Sequence, residues 1–153
     1  MTLHLVDLGI LARPTLYLSE FLEQHRQAYF DALMMARESN NLEHWLNFFL
    51  EGVIETSKKG KQTFAAIVKL RQQYEEKLLV FGKRATTYQK LVYRLFQNPI
   101  ISPRETEAFL EVSPRTANKM LRDLEAIDIL SEISQSQRNR SYALHDYIQL
   151  FKN

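Results

Sequence analysis

The residue pattern predicts a mainly α-helical chain in two parts: residues 1–82, a helical region with one long helix, and residues 83–153, a smaller domain ending in a β-hairpin. Three observations carry this reading. Apolar residues recur at spacings of three and four along most of the chain, as in helices with one buried face. The 153 residues include only four Gly and four Pro, so helices have few breaks and no Gly/Pro-rich linker separates the parts. After Asp128 the period shortens: Leu130-Ser-Glu-Ile133 and Ser141-Tyr-Ala-Leu144 suit two strands, with Gln135-Ser-Gln-Arg-Asn-Arg140 as the connecting tip.

In chain order, Leu3, Leu5, Val6, Leu8, Ile10 and Leu11 form a short apolar segment closed by Arg13-Pro14, and so many apolar residues in one short helix predict burial on most sides. Ser19 is placed to cap a helix running to about Glu38, with Phe21, Leu22, His25, Tyr29, Leu33 and Ala36 along one stripe. Asn40, with Glu43 three residues on, predicts the cap of the next helix. That helix runs from Leu42 towards Leu79, with an inner face of Trp45, Leu46, Phe49, Val53, Phe64, Ile67, Val68, Tyr74 and Leu78. Its middle, Glu55 to Thr63, is polar and contains Gly60, which weakens the helix there. Such an element spans about 55 Å at 1.5 Å per residue, more than a small domain needs. It extends away to carry the second part, or it pairs with a second copy.

In the second part, Tyr88, Leu91, Val92, Leu95 and Phe96 mark the apolar stripe of a helix that Asn98-Pro99 ends, and Ile100-Ile101 can add a third small strand. Ser102 followed by Pro103, and Ser113 followed by Pro114, are start signals for two more helices: the serine oxygen satisfies a free amide and proline fits the first turn. The second of these gathers Ala117, Met120, Leu121, Leu124 and Ile127 on its buried side, which leaves Arg115, Thr116, Asn118, Lys119 and Arg122 opposite. Two short helices about a tight turn, followed by two strands and a basic tip, are the element order of a winged helix-turn-helix. In such a domain the exposed N-terminal side chains of the second helix reach base edges in the major groove. Arg115, Thr116, Asn118, Lys119 and Arg122 are therefore the candidate DNA-binding residues, with Arg138 and Arg140 on the tip placed for phosphates or the minor groove. The plainer reading is a solvated polar face on a domain that docks protein, since fold alone does not assign function.

The chain holds 20 basic and 18 acidic side chains, a net charge of +2. From Lys83 onward there are 11 basic and 8 acidic residues, so the basic surplus lies in the second part. It is small for a nucleic-acid binder, and predicts weak, salt-sensitive binding to double-stranded DNA or a homodimer that doubles the contacts. With no cysteine the chain has no disulfide, no thiolate metal site and no cysteine nucleophile, which suits a cytoplasmic location. No apolar run approaches about 18 residues, so no transmembrane helix is expected. The start, Met1-Thr-Leu-His-Leu-Val-Asp7, lacks the basic leader of a signal peptide.

One string of residues has a specific resemblance. Leu11-Ala-Arg-Pro14, Leu16-Tyr-Leu-Ser19, Gln24-His-Arg26, Tyr29-Phe30 with Leu33, and Trp45-Leu-Asn-Phe-Phe-Leu-Glu-Gly-Val53 together resemble the region of Fic-family proteins that follows their catalytic loop. Asn98-Pro-Ile-Ile101, Val112-Ser-Pro-Arg-Thr-Ala117, Leu121 to Leu130 and Arg138-Asn-Arg-Ser-Tyr142 resemble the C-terminal winged helix of bacterial members. The resemblance covers nearly the whole chain and implies the C-terminal part of a Fic adenylyltransferase. Such enzymes use ATP and Mg to transfer AMP to a hydroxyl side chain (AMPylation), through a His-Pro-Phe-x-x-Gly-Asn-Gly-Arg loop. This sequence has no such loop, so no catalytic residue, no cofactor and no enzyme activity is expected of the chain itself. The resemblance further implies a nucleotide-binding remnant at Tyr29, Phe30 and Arg37, meaningful only in a complete protein. Phe30 and Arg37 depart there from the tyrosine and asparagine found in family members.

Other chemistry finds little footing. His4, His25, His44 and His145 are scattered without metal-ligand spacing, and no Gly-rich phosphate loop occurs. Glu75 and Glu76 are neighbours on a helix and diverge instead of facing each other as an acid/base pair. Two functions remain: a DNA-binding or regulatory module, or a helical scaffold and dimerisation module whose winged helix binds protein. The apolar N-terminal segment predicts a homodimer or a missing N-terminal Fic segment as its cover.

Overall fold

The computed structural model describes residues 18–134 and 140–151. The apolar segment Leu3–Leu11 and Arg138 lie outside them. The chain is mainly helical with one small three-stranded antiparallel sheet. Its elements are α1 (Leu18–Gln24), α2 (Arg26–Ser39), α3 (Glu43–Leu78), a 3-10 stretch (Leu79–Arg84), α4 (Ala85–Leu95), β1 (Ile100–Ile101), α5 (Pro103–Leu110), α6 (Pro114–Ala126), β2 (Ser131–Glu132), β3 (Tyr142–Ala143) and α7 (His145–Gln149). They form two compact units that divide between Phe64 and Ala65.

In the first unit the helix expected from Ser19 to Glu38 is two helices, and Ser19 lies inside α1 instead of capping it. The break is at His25, whose φ of −109° and ψ of 34° depart from helical values. Its ring Nδ1 lies 3.0 Å from the Phe21 carbonyl and the ring stacks on Phe21 with centroids 4.3 Å apart. The main-chain bond to that carbonyl is kept, His25 N donating to Phe21 O at 2.9 Å, so the break is confined to the His25 dihedrals. Asn40 does not cap α3; it ends α2 in the left-handed region, at φ 54°. Asn41 takes the other role, its Oδ1 accepting from the Glu43 amide at 2.9 Å.

The inner face of α3 also differs from the expected one. Leu46 and Phe64 in the first unit and Val68 in the second are exposed, whereas Gly52 and Thr56 are buried. Small size decides this. A Cβ at Gly52 would stand 2.6 Å from the Phe21 ring, so α1 and α3 approach closely only because that position has no side chain. Thr56 satisfies its buried hydroxyl on its own helix, donating to Gly52 O at 2.7 Å. Lys59 adds an exposed ion pair to Glu20 at 2.9 Å, worth little by itself.

The second unit has the larger core, built from Leu70, Tyr74 and Leu78 of α3, Tyr88, Leu91, Val92 and Leu95 of α4, Met120, Leu121 and Leu124 of α6, and Tyr142 and Leu144 around β3. The unit begins upstream of Lys83 because the last turns of α3 bury these side chains among those of α4 and α6. Each fully buried leucine contributes about 1.5–3 kcal/mol relative to exposure. Gly82, at φ 52° and ψ −124°, lets the chain leave the α3 direction and begin α4, a conformation that few other residues adopt without strain.

The strand order is β1-β3-β2. Ile100 and Ile101 pair with Ala143 and Tyr142, and Ser131 and Glu132 pair with the same two residues from the other side. Leu144 N donates to Pro99 O at 2.8 Å and Ile133 N to Ser141 O at 2.9 Å, which extends both pairings by one bond. The central strand is buried on both residues, and this ties the start and the end of the unit together.

Gly52→Ala tests the close approach. Alanine is the better helix former by about 1 kcal/mol, yet overpacking against Phe21 costs about 1–3 kcal/mol. The variant is therefore expected to melt lower than the wild type, and a higher melting temperature would show that α1 and α3 are not in contact at this point.

Candidate functional site

The polar side of α6 is positioned by what its other side buries. Ala117, Leu121 and Leu124 are fully buried and Met120 nearly so. Tyr88 Oη donates to Asp123 Oδ2 at 2.5 Å, a bond that fixes the rotation of α6 against α4. Burial raises the Tyr88 hydroxyl pKa well above the tyrosine range, and the Asp123 carboxylate raises it further. Tyr74 repeats the arrangement with Asp146, at 3.2 Å, and is raised by the same causes.

Both start signals read in the sequence are in place. Ser102 and Glu105 form a reciprocal capping box on α5: Ser102 N donates to Glu105 Oε2 at 2.7 Å and Glu105 N to Ser102 Oγ at 3.3 Å. The Ser102 hydroxyl and amide lower the Glu105 pKa. Ser113 Oγ accepts from Thr116 N at 3.3 Å at the start of α6. Between the helices, Glu111 takes the left-handed conformation at φ 53°, and only Glu111, Val112 and Ser113 separate α5 from α6. Thr106, wholly buried on α5, donates its hydroxyl to Ser102 O at 3.0 Å.

The seven residues expected to contact DNA fall into three groups. Arg115, Lys119 and Arg122 are exposed on one side of α6, with no ion-pair partner among the described residues. Thr116 and Asn118 are drawn into the helix start: Thr116 Oγ1 lies 2.9 Å from Ser113 Oγ, and Asn118 Nδ2 donates to Pro114 O at 2.8 Å. Both therefore shape the end of α6 as well as its surface. Arg140 sits just before β3 with its Nε 3.7 Å from Glu132 Oε1. Its guanidinium pKa is raised, first by a hydrogen bond with Tyr142 and then by the charge of Glu132. Arg140 is thus held along the strand pair, and Arg138 lies outside the described residues.

Tyr29, Phe30 and Arg37 lie on α2 in the other unit. Tyr29 is half-buried, its ring 6.2 Å from Phe48 and 5.6 Å from Phe30. Phe30 is exposed beneath the Arg26 guanidinium at 5.7 Å, and Arg37 is exposed one helical repeat further on. Packing against Phe48 explains Tyr29 without a ligand. Among the described residues, no group of three or more His, Asp or Glu is placed to hold a metal ion.

Sequence reasoning missed two features of the second unit. Glu75, half of a diverging pair by its helix position, is the hub of a surface cluster: Tyr93 Oη donates to it at 2.6 Å and Arg71 Nε at 3.1 Å. The Tyr93 hydrogen bond, then that from Arg71, lowers the Glu75 pKa. Arg71 also covers the Tyr93 ring at 4.2 Å. The i, i+4 spacing of Arg71 and Glu75 was a usable signal for that pair; Tyr93 was not predictable because it comes from another helix. The second feature is an open groove of about 400 Å³ beside α4, β1 and α5, lined by Arg94, Asn98, Ile100, Glu105 and Phe109 among others. Arg94 lies 5.8 Å from the Phe109 ring centre. No family model matches the sequence.

The capping box gives a pH prediction. Glu105 has a depressed folded pKa, so its contribution is complete above the ordinary carboxylate value of about 4.3 and is lost as pH falls through the lower folded value. Glu105→Gln keeps a polar cap without the charge. Melting curves measured between roughly pH 3 and pH 6 should show the variant less stable than wild type at the upper end and the two converging at the lower end. A constant difference across the range would remove the assignment.

Proposed function

We propose that residues 83–153 form a winged helix-turn-helix module that docks on double-stranded DNA, with the start of α6 in the major groove and the segment between β2 and β3 as the wing. The observation that supports this best is the outward row Arg115, Lys119 and Arg122, three exposed cations without ion-pair partners among the described residues, on a helix whose opposite side is locked into the core. Cations left unpaired on a rigid helix are suited to phosphates and base edges. Arg115 is the residue proposed to reach a base edge; Lys119 and Arg122 are assigned to the backbone. Thr116 and Asn118 contribute less, because each has a bond within the helix start.

The resemblance of residues 11–53 to the region after a Fic catalytic loop supports a regulatory role, in which the module orients or controls an AMP-transferring enzyme. On this reading the chain itself transfers nothing, and a nucleotide would meet Tyr29, Phe30 and Arg37 only in a complete protein. A second reading, a scaffold whose small domain binds protein, is favoured by one observation: Arg140 is tied to Glu132 and so is less available to a phosphate.

Fluorescence anisotropy of a labelled duplex over a salt series separates the two. DNA docking predicts that log K falls with log salt at a slope of about −0.9 for each phosphate neutralised, and that Arg115→Ala with Arg122→Ala weakens binding about tenfold or more. Binding that ignores salt and both substitutions would refute the DNA reading.

A further inference from the structure

One side of α3 in the first unit carries Leu46, Leu50, Ile54 and Phe64, with exposures of 48%, 46%, 54% and 53%. At 3.6 residues per turn these four, with Ser57 between them, lie on one side of the helix, next to but distinct from the Gly52–Thr56 side that packs on Phe21. Single exposed apolar residues need no explanation, but four on one side of a helix are a mark of association.

Two pairs of positions on this side are symmetric about Ser57. Leu50 and Phe64 are equidistant from Ser57, and so are Ile54 and Gly60. A second copy laid antiparallel across Ser57 would set Leu50 against Phe64 and Ile54 against Gly60, a bulky side chain against a position without one. The charges change sign about the same point. Glu43, Glu51 and Glu55 precede Ser57, and Lys58, Lys59 and Lys61 follow it. Lys59 is already committed to Glu20, but Glu51 and Lys61 are exposed and without ion-pair partners among the described residues. An antiparallel pair brings the acidic half of each helix to the basic half of the other, whereas a parallel pair opposes like charges. We propose that this side of α3 is an isologous interface between two copies of the chain, packed as an antiparallel helix pair about a twofold axis at Ser57. The proposal concerns the first unit and stands apart from the DNA reading.

The chain has no cysteine, so a single introduced thiol reports on one position. The full chain carrying Ser57→Cys is expected to form a disulfide-linked dimer under mild oxidation, and Glu55→Cys, on the other side of α3, is not. In sedimentation equilibrium the wild type is expected to dimerise, and Leu50→Glu with Phe64→Glu to run as a monomer with unchanged helical circular dichroism. Glu51→Lys should weaken the dimer several-fold, and adding Lys61→Glu should restore it, a readout that remains available if the apolar variant fails to fold. A wild type that stays monomeric at about 100 µM overturns the proposal, since contacts weaker than that are not a specific dimer. So does a dimer indifferent to the apolar and charge variants, or one linked through Glu55→Cys and not Ser57→Cys. If another part of the same chain covers the row, the wild type is monomeric and Leu50→Glu lowers its melting temperature, which also rejects it.

Discussion

The second unit depends on the burial of one side of α6. Ala117 is fully buried, and Met120, Leu121 and Leu124 leave water in one cluster with Tyr88, Leu91, Val92 and Leu95 of α4, the end of α3, and Ile101, Tyr142 and Leu144 of the sheet region. That contact determines the direction of everything on the other side of the helix. Arg115, Lys119 and Arg122 point outward because a rotation of α6 by one residue would bring a charge into an apolar core, at a cost of several kcal/mol. The Tyr88–Asp123 hydrogen bond adds a directional constraint that apolar packing alone lacks. A surface presented by a short helix is only as well defined as this inner contact. Here the contact includes several fully buried side chains.

The first unit relies on a different device. Its helices meet where α3 is narrowest, at Gly52, and the nearby Thr56 hydroxyl is satisfied within the same helix. Close backbone approach substitutes for bulk, so the large apolar residues of α3 are not all needed inward. Leu46, Leu50, Ile54 and Phe64 lie on the exposed side. The residue type that permits the intramolecular contact thus frees the surface on which association between copies is proposed.

Much of the second unit was legible in the sequence because its signals are local. Ser102-Pro103 and Ser113-Pro114 each specify a helix start within three or four residues, and both caps form. The change of period after Asp128 marks the strands, which pair antiparallel around Tyr142 and Ala143. The first unit was less legible. Asn40 and Asn41 are adjacent and both suit a helix boundary, yet one ends α2 and the other caps α3. His25 interrupts a helix that periodicity alone makes continuous: its dihedrals leave the helical region although its amide still bonds the Phe21 carbonyl.

The candidate site divides along the same line. Amino-acid order alone determined which residues share the outward side of α6, since a 3.6-residue period fixes angular position once the helix is granted. Tertiary structure decided which of them are available. Arg140 faces Glu132 only because β3 pairs with β2, and Glu75 meets Tyr93 only because α3 and α4 pack in one core. It also decided that the inner side of α3 runs through Gly52 instead of Leu46. Periodicity reports how many apolar residues a helix has on each side, but the side that is buried is chosen by the closest approach its neighbour can make.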